Sequence, residues 1–262
     1  MPNQHGSFIW YELLTRDVKA AKAFYDKVVG WNIQAEAPPG DMDYRMIEAA
    51  DGNAGGVMQL NADMVAGGAK PVWLGYLCAE DVDATVAAIA ADGGQVQLPP
   101  FDIPGVGRLA MVTDPQGVPF YVMRGASPEN STAYQRMGFQ HVSWNELNTS
   151  DDAAALAFYG KHFGITKIGA MPMGPMGDYS FIANAESQGD AIGAVMRTPE
   201  GAKSGWKFYF RVPDIHAAKA AVEQGGGTVL NGPDEVPGGE LTLHALDPDG
   251  AFFGLVAPGN GG

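Results

Sequence analysis

One phrase in this chain is written twice, and that repetition constrains the fold more than any other feature. Trp10, Glu12, Leu13, Thr15, Asp17, Ala20, Ala21, Ala23, Phe24, Tyr25, Lys27 and Gly30 return about 134 residues later as Trp144, Glu146, Leu147, Thr149, Asp151, Ala154, Ala155, Ala157, Phe158, Tyr159, Lys161 and Gly164. The register holds to the end of each copy, where Asp114-Pro115-Gln116-Gly117 is answered by Asp247-Pro248-Asp249-Gly250. The chain is a tandem duplication, and an internal repeat of this depth largely decides an architecture. Every residue can therefore be weighed against its twin. One kept in both copies serves the shared scaffold; one found in a single copy is freer to serve chemistry.

At 262 residues the chain holds two domains of ordinary size, each able to bury a core. The repeat places them at 1–125 and 139–262, joined by a linker at 126–138 that carries Ser127, Pro128, Asn130 and Ser131. Sixteen Lys plus Arg stand against 30 Asp plus Glu, a formal net charge of -14. That balance argues against a nucleic-acid partner, which needs clustered cations. A single cysteine, Cys78, excludes an internal disulfide and any multi-cysteine metal centre. Nothing near Met1 resembles a secretory signal, and no stretch approaches the ~18 apolar residues of a membrane span. A cytoplasmic protein with no membrane partner is expected.

Within each copy the pattern runs twice through strand, helix and three short strands. Phe8–Thr15 alternates as a half-buried strand does. Asp17 offers an N-cap, Ala20, Ala21, Ala23, Phe24 and Val28 form one helical stripe, and Gly30 ends it. Strands follow at Tyr44–Ala49 and Gly55–Leu60. The pattern restarts with a strand at Val72–Ala79 and a helix at Val82–Ala91, then strands at Gln95–Leu98, Leu109–Thr113 and Val118–Met123. The second copy repeats this with Phe208–Val212, Ile215–Gln224, Thr242–Leu246 and Phe252–Val256. The fold class is α+β: four βαβββ modules in two tandem domains, with curled mixed sheets and outer helices.

Thr15-x-Asp17, Phe24-Tyr25, Gly30-Trp31, Asp81-Val82-Asp83-Ala84, Asp92-Gly93-Gly94 and Asp114-Pro115-x-Gly117 together resemble the vicinal oxygen chelate superfamily. That superfamily includes glyoxalases, bleomycin-resistance proteins and extradiol dioxygenases. Trp-x-Glu-Leu in the first strand is similar to its tandem glyoxalase-like branch. The resemblance implies a metal ligand on the first strand of each module, seven residues before the helix-capping Asp, and another on the last strand. Here those places hold Trp10, Leu74, Trp144 and Lys207, then Gln59, Tyr121, Arg197 and Gly254. Tryptophan, leucine, lysine and glycine offer no suitable donor. No cofactor is expected, and no metal ligand is assigned. A divalent metal displaced onto Glu12, Glu146, His141 or His244 is the weaker alternative.

Strand alternation sorts side chains into cavity-facing and helix-facing sets. In the first copy the candidate ligand-binding residues are Trp10, Glu12, Gln59, Tyr76, Met111 and Tyr121, in a largely apolar and aromatic setting. In the second they are Trp144, Arg197, Lys207, Tyr209 and Arg211. Glu146 and His244 are the candidate catalytic groups there, since histidine titrates near neutrality and a carboxylate can orient it. Gly254 in place of Tyr121 is expected to leave room. Cys78 has no basic neighbour predicted on its face and reads as core. Met171–Gly177 and its counterpart, residues 37–42, read as surface loops, with a ligand lid the sharper alternative.

Two functions follow from the resemblance. One is a glyoxalase-like lyase or isomerase acting on a carbonyl or α-oxo-aldehyde adduct without the usual metal. The other is a bleomycin-resistance-like protein that sequesters an aromatic or antibiotic-like ligand. A metal-dependent dioxygenase is a distant third. The partner is a small molecule, and the chain is expected to act as a monomer or homodimer.

Overall fold

The computed structural model describes residues 3–40 and 42–259. Asp41, in the loop 37–42 named above, lies outside the described residues. The first module comprises β1 (Phe8–Thr15), α1 (Val18–Val28), β2 (Asn32–Ile33), β3 (Tyr44–Ala49) and β4 (Gly52–Gln59), followed by a short helix α2 (Ala62–Ala66). The second comprises β5 (Val72–Cys78), α3 (Val82–Ala91), β6 (Gln95–Ile103), β7 (Gly107–Thr113) and β8 (Pro119–Gly125). The third comprises β9 (Val142–Thr149), α4 (Asp152–Phe163), β10 (Thr166–Pro172), β11 (Asp178–Ala183) and β12 (Gly193–Arg197). The fourth comprises β13 (Gly205–Arg211), α5 (Ile215–Gln224), β14 (Thr228–Glu235), β15 (Leu241–Leu246) and β16 (Phe252–Ala257). The strands form two eight-stranded sheets, both mixed and neither closed on itself.

The helices start where the sequence places their caps. Asp17, Asp81, Asp151 and Asp214 each hold an extended backbone and accept from amides of the first turn. A side-chain cap of this kind contributes about 1 kcal/mol. Helix α1 then buries Ala21, Phe24, Tyr25 and Val28 on one stripe. It ends as expected, with Gly30 at φ 85° turning the chain into β2.

Two departures from the sequence reading have simple causes. Pro99 and Pro100 argue for ending a strand at Leu98, yet β6 continues to Ile103. It does so through a register shift between Leu98 and Phe101, which removes the ladder bonds that proline cannot make. The Met171–Gly177 segment is strand up to Pro172 and then a single 3-10 turn, Gly174–Met176.

The chain divides into two compact units. The first is Met1–Ile9, Leu74–Ser131 and Trp144–Lys207; the second is Trp10–Trp73, Thr132–Ser143 and Phe208–Gly262. Each unit thus takes one module from each sequence copy.

In the first unit β5 pairs with β8 in parallel and β7 with β8 antiparallel, while β9 pairs with β12 in parallel. Helices α3 and α4 pack together. The core gathers on Tyr159, whose ring meets those of Trp206 and Phe120 with centroids 5.3 and 5.5 Å apart. The Tyr159 hydroxyl accepts from Trp206 Nε1 at 3.0 Å and donates to Asp114 Oδ2 at 3.2 Å.

The second unit repeats this plan with other residues. Strands β1 and β4 are parallel, as are β13 and β16, and α1 packs on α5. Tyr25 sits among Trp73, Phe253 and Trp31, with centroids 5.5, 5.3 and 5.7 Å away. Its hydroxyl accepts from Trp73 Nε1 at 2.9 Å and donates to Asp247 Oδ2 at 3.1 Å. Gly225 and Gly227 end α5 against the Phe24 ring. A Cβ at either would stand within 2.7 or 2.9 Å of that ring, so only glycine permits the approach.

Candidate functional site

Strand β9 presents Trp144, Glu146 and Asn148 on one face, because alternate residues of a strand share a side. Their polar atoms form one network in the first unit. Trp144 Nε1 donates to Tyr179 Oη at 2.8 Å, and Tyr179 Oη donates to Glu146 Oε2 at 2.9 Å. Asn148 Nδ2 donates to the other carboxylate oxygen, Oε1, at 2.8 Å. Glu146 is only 7% exposed and Asn148 1%. A carboxylate this buried needs its charge answered, and two donors plus a cation answer it.

The cation is Lys207, half-buried on β13. Burial pulls its ammonium below the ordinary lysine range, and the Glu146 charge opposes that shift. Tyr179 is pushed far the other way, by burial first and then by the Glu146 carboxylate, so its hydroxyl stays protonated as a donor. The rings of Trp144 and Tyr179 continue into Phe181, with centroids 6.2 and 5.6 Å from it. The result is an aromatic wall beside a charged floor.

Both copies keep the upper part of this arrangement. In the second unit Trp10 Nε1 donates to Tyr44 Oη at 2.7 Å, as Trp144 does to Tyr179. Glu12, like Glu146, is buried on the same strand face. The floor differs: Leu14 stands at the place of Asn148, and the residue that corresponds to Lys207 in sequence, Leu74, lies in the first unit.

The remaining sequence candidates are placed as follows. Tyr76 and Tyr121, both buried in the first unit, stack with centroids 4.2 Å apart and planes 14° from parallel. Met111 lines a shallow cleft of about 530 Å³ with Gln95, Gln97, Thr113 and Gln116, which shares no residue with the Glu146 network. Arg197 is exposed and bonds Asp152 Oδ1 at 3.0 Å in the first turn of α4. Cys78 is buried, and burial raises its thiol above the usual range while Arg124 opposes the shift.

In the second unit Gln59 accepts from Val18 N at 3.2 Å and so serves the start of α1. His244 Nε2 lies 2.9 Å from Tyr209 Oη, and its ring also meets Phe252. Gly254 leaves less room than its size suggests. The Tyr209 ring lies over it, within 2.3 Å of where a Cβ would stand. Arg211 is buried and paired with Glu240, which also accepts from Arg136 at 2.8 Å. Burial pushes the Glu240 carboxyl up, but the two guanidiniums outweigh it and hold it below the usual range.

Sequence reasoning passed over Tyr44 and Tyr179. Tyr44 is the first residue of β3 and Tyr179 the second of β11, and their recurrence near the start of the same strand in the two copies was the available signal. Glu240 could not be found that way, because it lies in the loop before β15 and outside any strand alternation.

The sequence matches the family described as Glyoxalase/Bleomycin resistance protein/Dioxygenase superfamily over residues 7–122 and 138–255. The chain belongs to this superfamily. A Mycobacterium tuberculosis protein named "Putative glyoxylase CFP32" is 30% identical over 256 residues, spanning 97% of this chain and 96% of its own length. The "Anthracycline biosynthesis protein DnrV" of Streptomyces peucetius is 28% identical over 267 residues, spanning 96% and 93%. Among solved structures, a Mn(II)-bound glyoxalase from Novosphingobium aromaticivorans superposes with a TM-score of 0.64 at 17% identity, covering 97% of this chain and 82% of that one.

The donors present here do not fit a divalent metal. At the positions the superfamily uses stand Trp10, Leu74, Trp144 and Lys207. Glu146 already accepts from Tyr179 and Asn148, and the neighbouring ammonium repels a second cation. His141 Nε2 is taken up with Asp51 Oδ1 at 2.6 Å. Among the described residues no three His, Cys, Asp or Glu side chains gather in a way that could hold an ion. No helix among them is long and apolar enough to cross a membrane.

Proposed function

We propose that the chain is a glyoxalase-like lyase or isomerase that moves a proton next to a carbonyl, with Glu146 as the base and no metal. The observation that carries this reading is the buried Glu146 carboxylate, fixed by Tyr179 and Asn148 beside Lys207. A carbon-bound proton next to a carbonyl passes to the carboxylate, and its electron pair moves onto the carbonyl oxygen. Lys207 then supplies the positive charge that an enolate oxygen needs, as a preorganised electrostatic group. Where the deprotonated carbon bears a hydroxyl, return of the proton to the former carbonyl carbon, with loss of the hydroxyl proton to the former carbonyl oxygen, completes an isomerisation; loss of a leaving group from the β carbon completes an elimination. The relatives named for glyoxylase and anthracycline biosynthesis support a small, oxygenated organic substrate.

The first copy favours binding over chemistry. Its stacked Tyr76 and Tyr121, with Leu74 in the same unit where the second copy has Lys207, are apolar and aromatic and carry no ammonium at that place. A sequestering role fits those residues better.

Turnover of the adduct of phenylglyoxal with a small thiol tests the reading. Glu146→Gln should lower kcat by at least about 100-fold, the range of general acid–base catalysis, with KM little changed. Wild-type turnover retained in Glu146→Gln refutes the enzymatic assignment.

A further inference from the structure

In the first unit, residues 3–7 are tied down by a histidine whose ring must be neutral. His5 Nε2 lies 2.7 Å from the carbonyl oxygen of His162 in the last turn of α4, and His5 Nδ1 lies 3.3 Å from the backbone nitrogen of Glu80. A carbonyl can only accept and a backbone N–H can only donate, so Nε2 carries the ring proton and Nδ1 is bare. The ring also stacks on Phe163, with centroids 5.8 Å apart. A second proton on this imidazole would set an N–H against the Glu80 N–H and remove that bond. His5 is half-buried, so protons reach it from solvent.

What His5 holds is a strap. Gly6 N donates to Cys78 O at 2.9 Å, Cys78 N donates to Ser7 O at 2.8 Å, and Asn184 Nδ2 donates to Gly6 O at 3.2 Å. Gly6 has φ 83°, and a Cβ there would run into the Phe163 carbonyl, so the strap lies close on the end of α4. Against the strap is Cys78, 1% exposed, whose thiol lies 3.5 Å from the Asn3 carbonyl oxygen. The second copy makes the same backbone pair, Gln140 N to Arg211 O at 2.8 Å and Arg211 N to His141 O at 2.9 Å, but with Phe139 at the place of His5. The strap therefore belongs to the scaffold, and the histidine does not.

The titratable and charged groups around it are Glu80, then Arg124 and Glu186 toward Cys78, then His162 with Asp92 and Lys161. Burial lowers the His162 pKa against the opposing Asp92 charge. Its contribution to stability is present above the unfolded histidine value and is lost as pH falls, the same direction as for His5.

We infer that His5 is an acid-sensitive latch: its protonation frees the 3–7 strap and opens access to the Cys78 thiol. Cys78 is the only cysteine of the chain, so its modification reads the strap directly. The full chain is treated with 4,4'-dithiodipyridine at neutral and mildly acidic pH, on either side of the histidine range of about 6.5. Each rate is divided by that of the urea-unfolded chain at the same pH, which cancels the intrinsic pH dependence of the thiol. The wild-type ratio should rise about fivefold in acid, the effect of one hydrogen bond lost to protonation. His5→Gln, which offers a donor and an acceptor without a titrating charge, should keep its neutral-pH protection in acid. If that variant does not fold, His5→Ala serves: its ratio should be raised already at neutral pH and should not step with acid. A wild-type ratio that does not rise in acid, or a rise of the same size in the variants, overturns the latch.

Discussion

Tyr25 donates its hydroxyl to Asp247 Oδ2 at 3.1 Å, joining the helix that opens the first sequence copy to the turn that closes the second. Tyr159 and Asp114 make the reciprocal bond at 3.2 Å. The two most recognisable motifs of the repeat, Phe-Tyr on the helix and Asp-Pro-x-Gly in the turn, are thus partners of each other. Each aspartate also accepts from its own turn amides, Asp114 from Gln116 and Val118 and Asp247 from Asp249 and Ala251. Retention of these residues in both copies reflects assembly of each unit, not catalysis.

Removing either hydroxyl leaves a tryptophan N–H and an aspartate oxygen buried without their partner. Tyr25→Phe and Tyr159→Phe should therefore each lower unfolding free energy by about 1–3 kcal/mol. Urea denaturation measures this, and turnover per folded molecule should not change.

The same pairs shape stability against pH. Burial raises the carboxyls of Asp114 and Asp247 above the ordinary aspartate value. With a folded pKa above the unfolded value of about 3.9, each contributes stability that is full below that pH and is lost as pH rises through the folded pKa. The advantage of wild type over Asp247→Asn in urea melts should accordingly shrink as pH is raised from about 4. A difference that stays constant with pH contradicts this account.

On the proposed mechanism Lys207 should set an alkaline limit on activity. The ammonium is the form the proposed step needs, and burial lowers its pKa against the opposing Glu146 charge, so activity should fall as pH rises through a value below the ordinary lysine range. Lys207→Arg keeps the charge at all working pH and should remove that limb from the rate profile. Lys207→Leu, which copies Leu74, should lose most turnover at every pH.

Elemental analysis of protein purified without chelators should find no stoichiometric Fe, Mn, Ni or Zn. Metal bound at a site that Glu146→Gln abolishes contradicts the donor analysis.

Much of the scaffold was legible in the sequence because caps, glycines and turn motifs act locally. Asp17, Asp81, Asp151 and Asp214 mark their helices by bonding amides two or three residues away. The site was legible only in part. Alternation along β9 puts Trp144 and Glu146 together, but it cannot say which donors reach the carboxylate. Tyr179 arrives from another strand, so its bond to the carboxylate is visible only once strands are paired, although its recurrence is legible in the sequence. Alternation likewise puts Arg197 in the cavity set, whereas its long side chain reaches out to Asp152 at a helix start. Long side chains escape period-two reasoning because their charged ends go where a partner lies.

Glu146 is the group proposed to remove a proton from carbon beside a carbonyl. Deuterium wash-in at the methylene of 2-hydroxyacetophenone, followed by proton NMR in D2O, reads that step without requiring the natural substrate. Wild type and Glu12→Gln should both accelerate exchange over buffer, and Glu146→Gln should lose at least about 100-fold of that acceleration. Equal exchange rates in wild type and Glu146→Gln would contradict the claim.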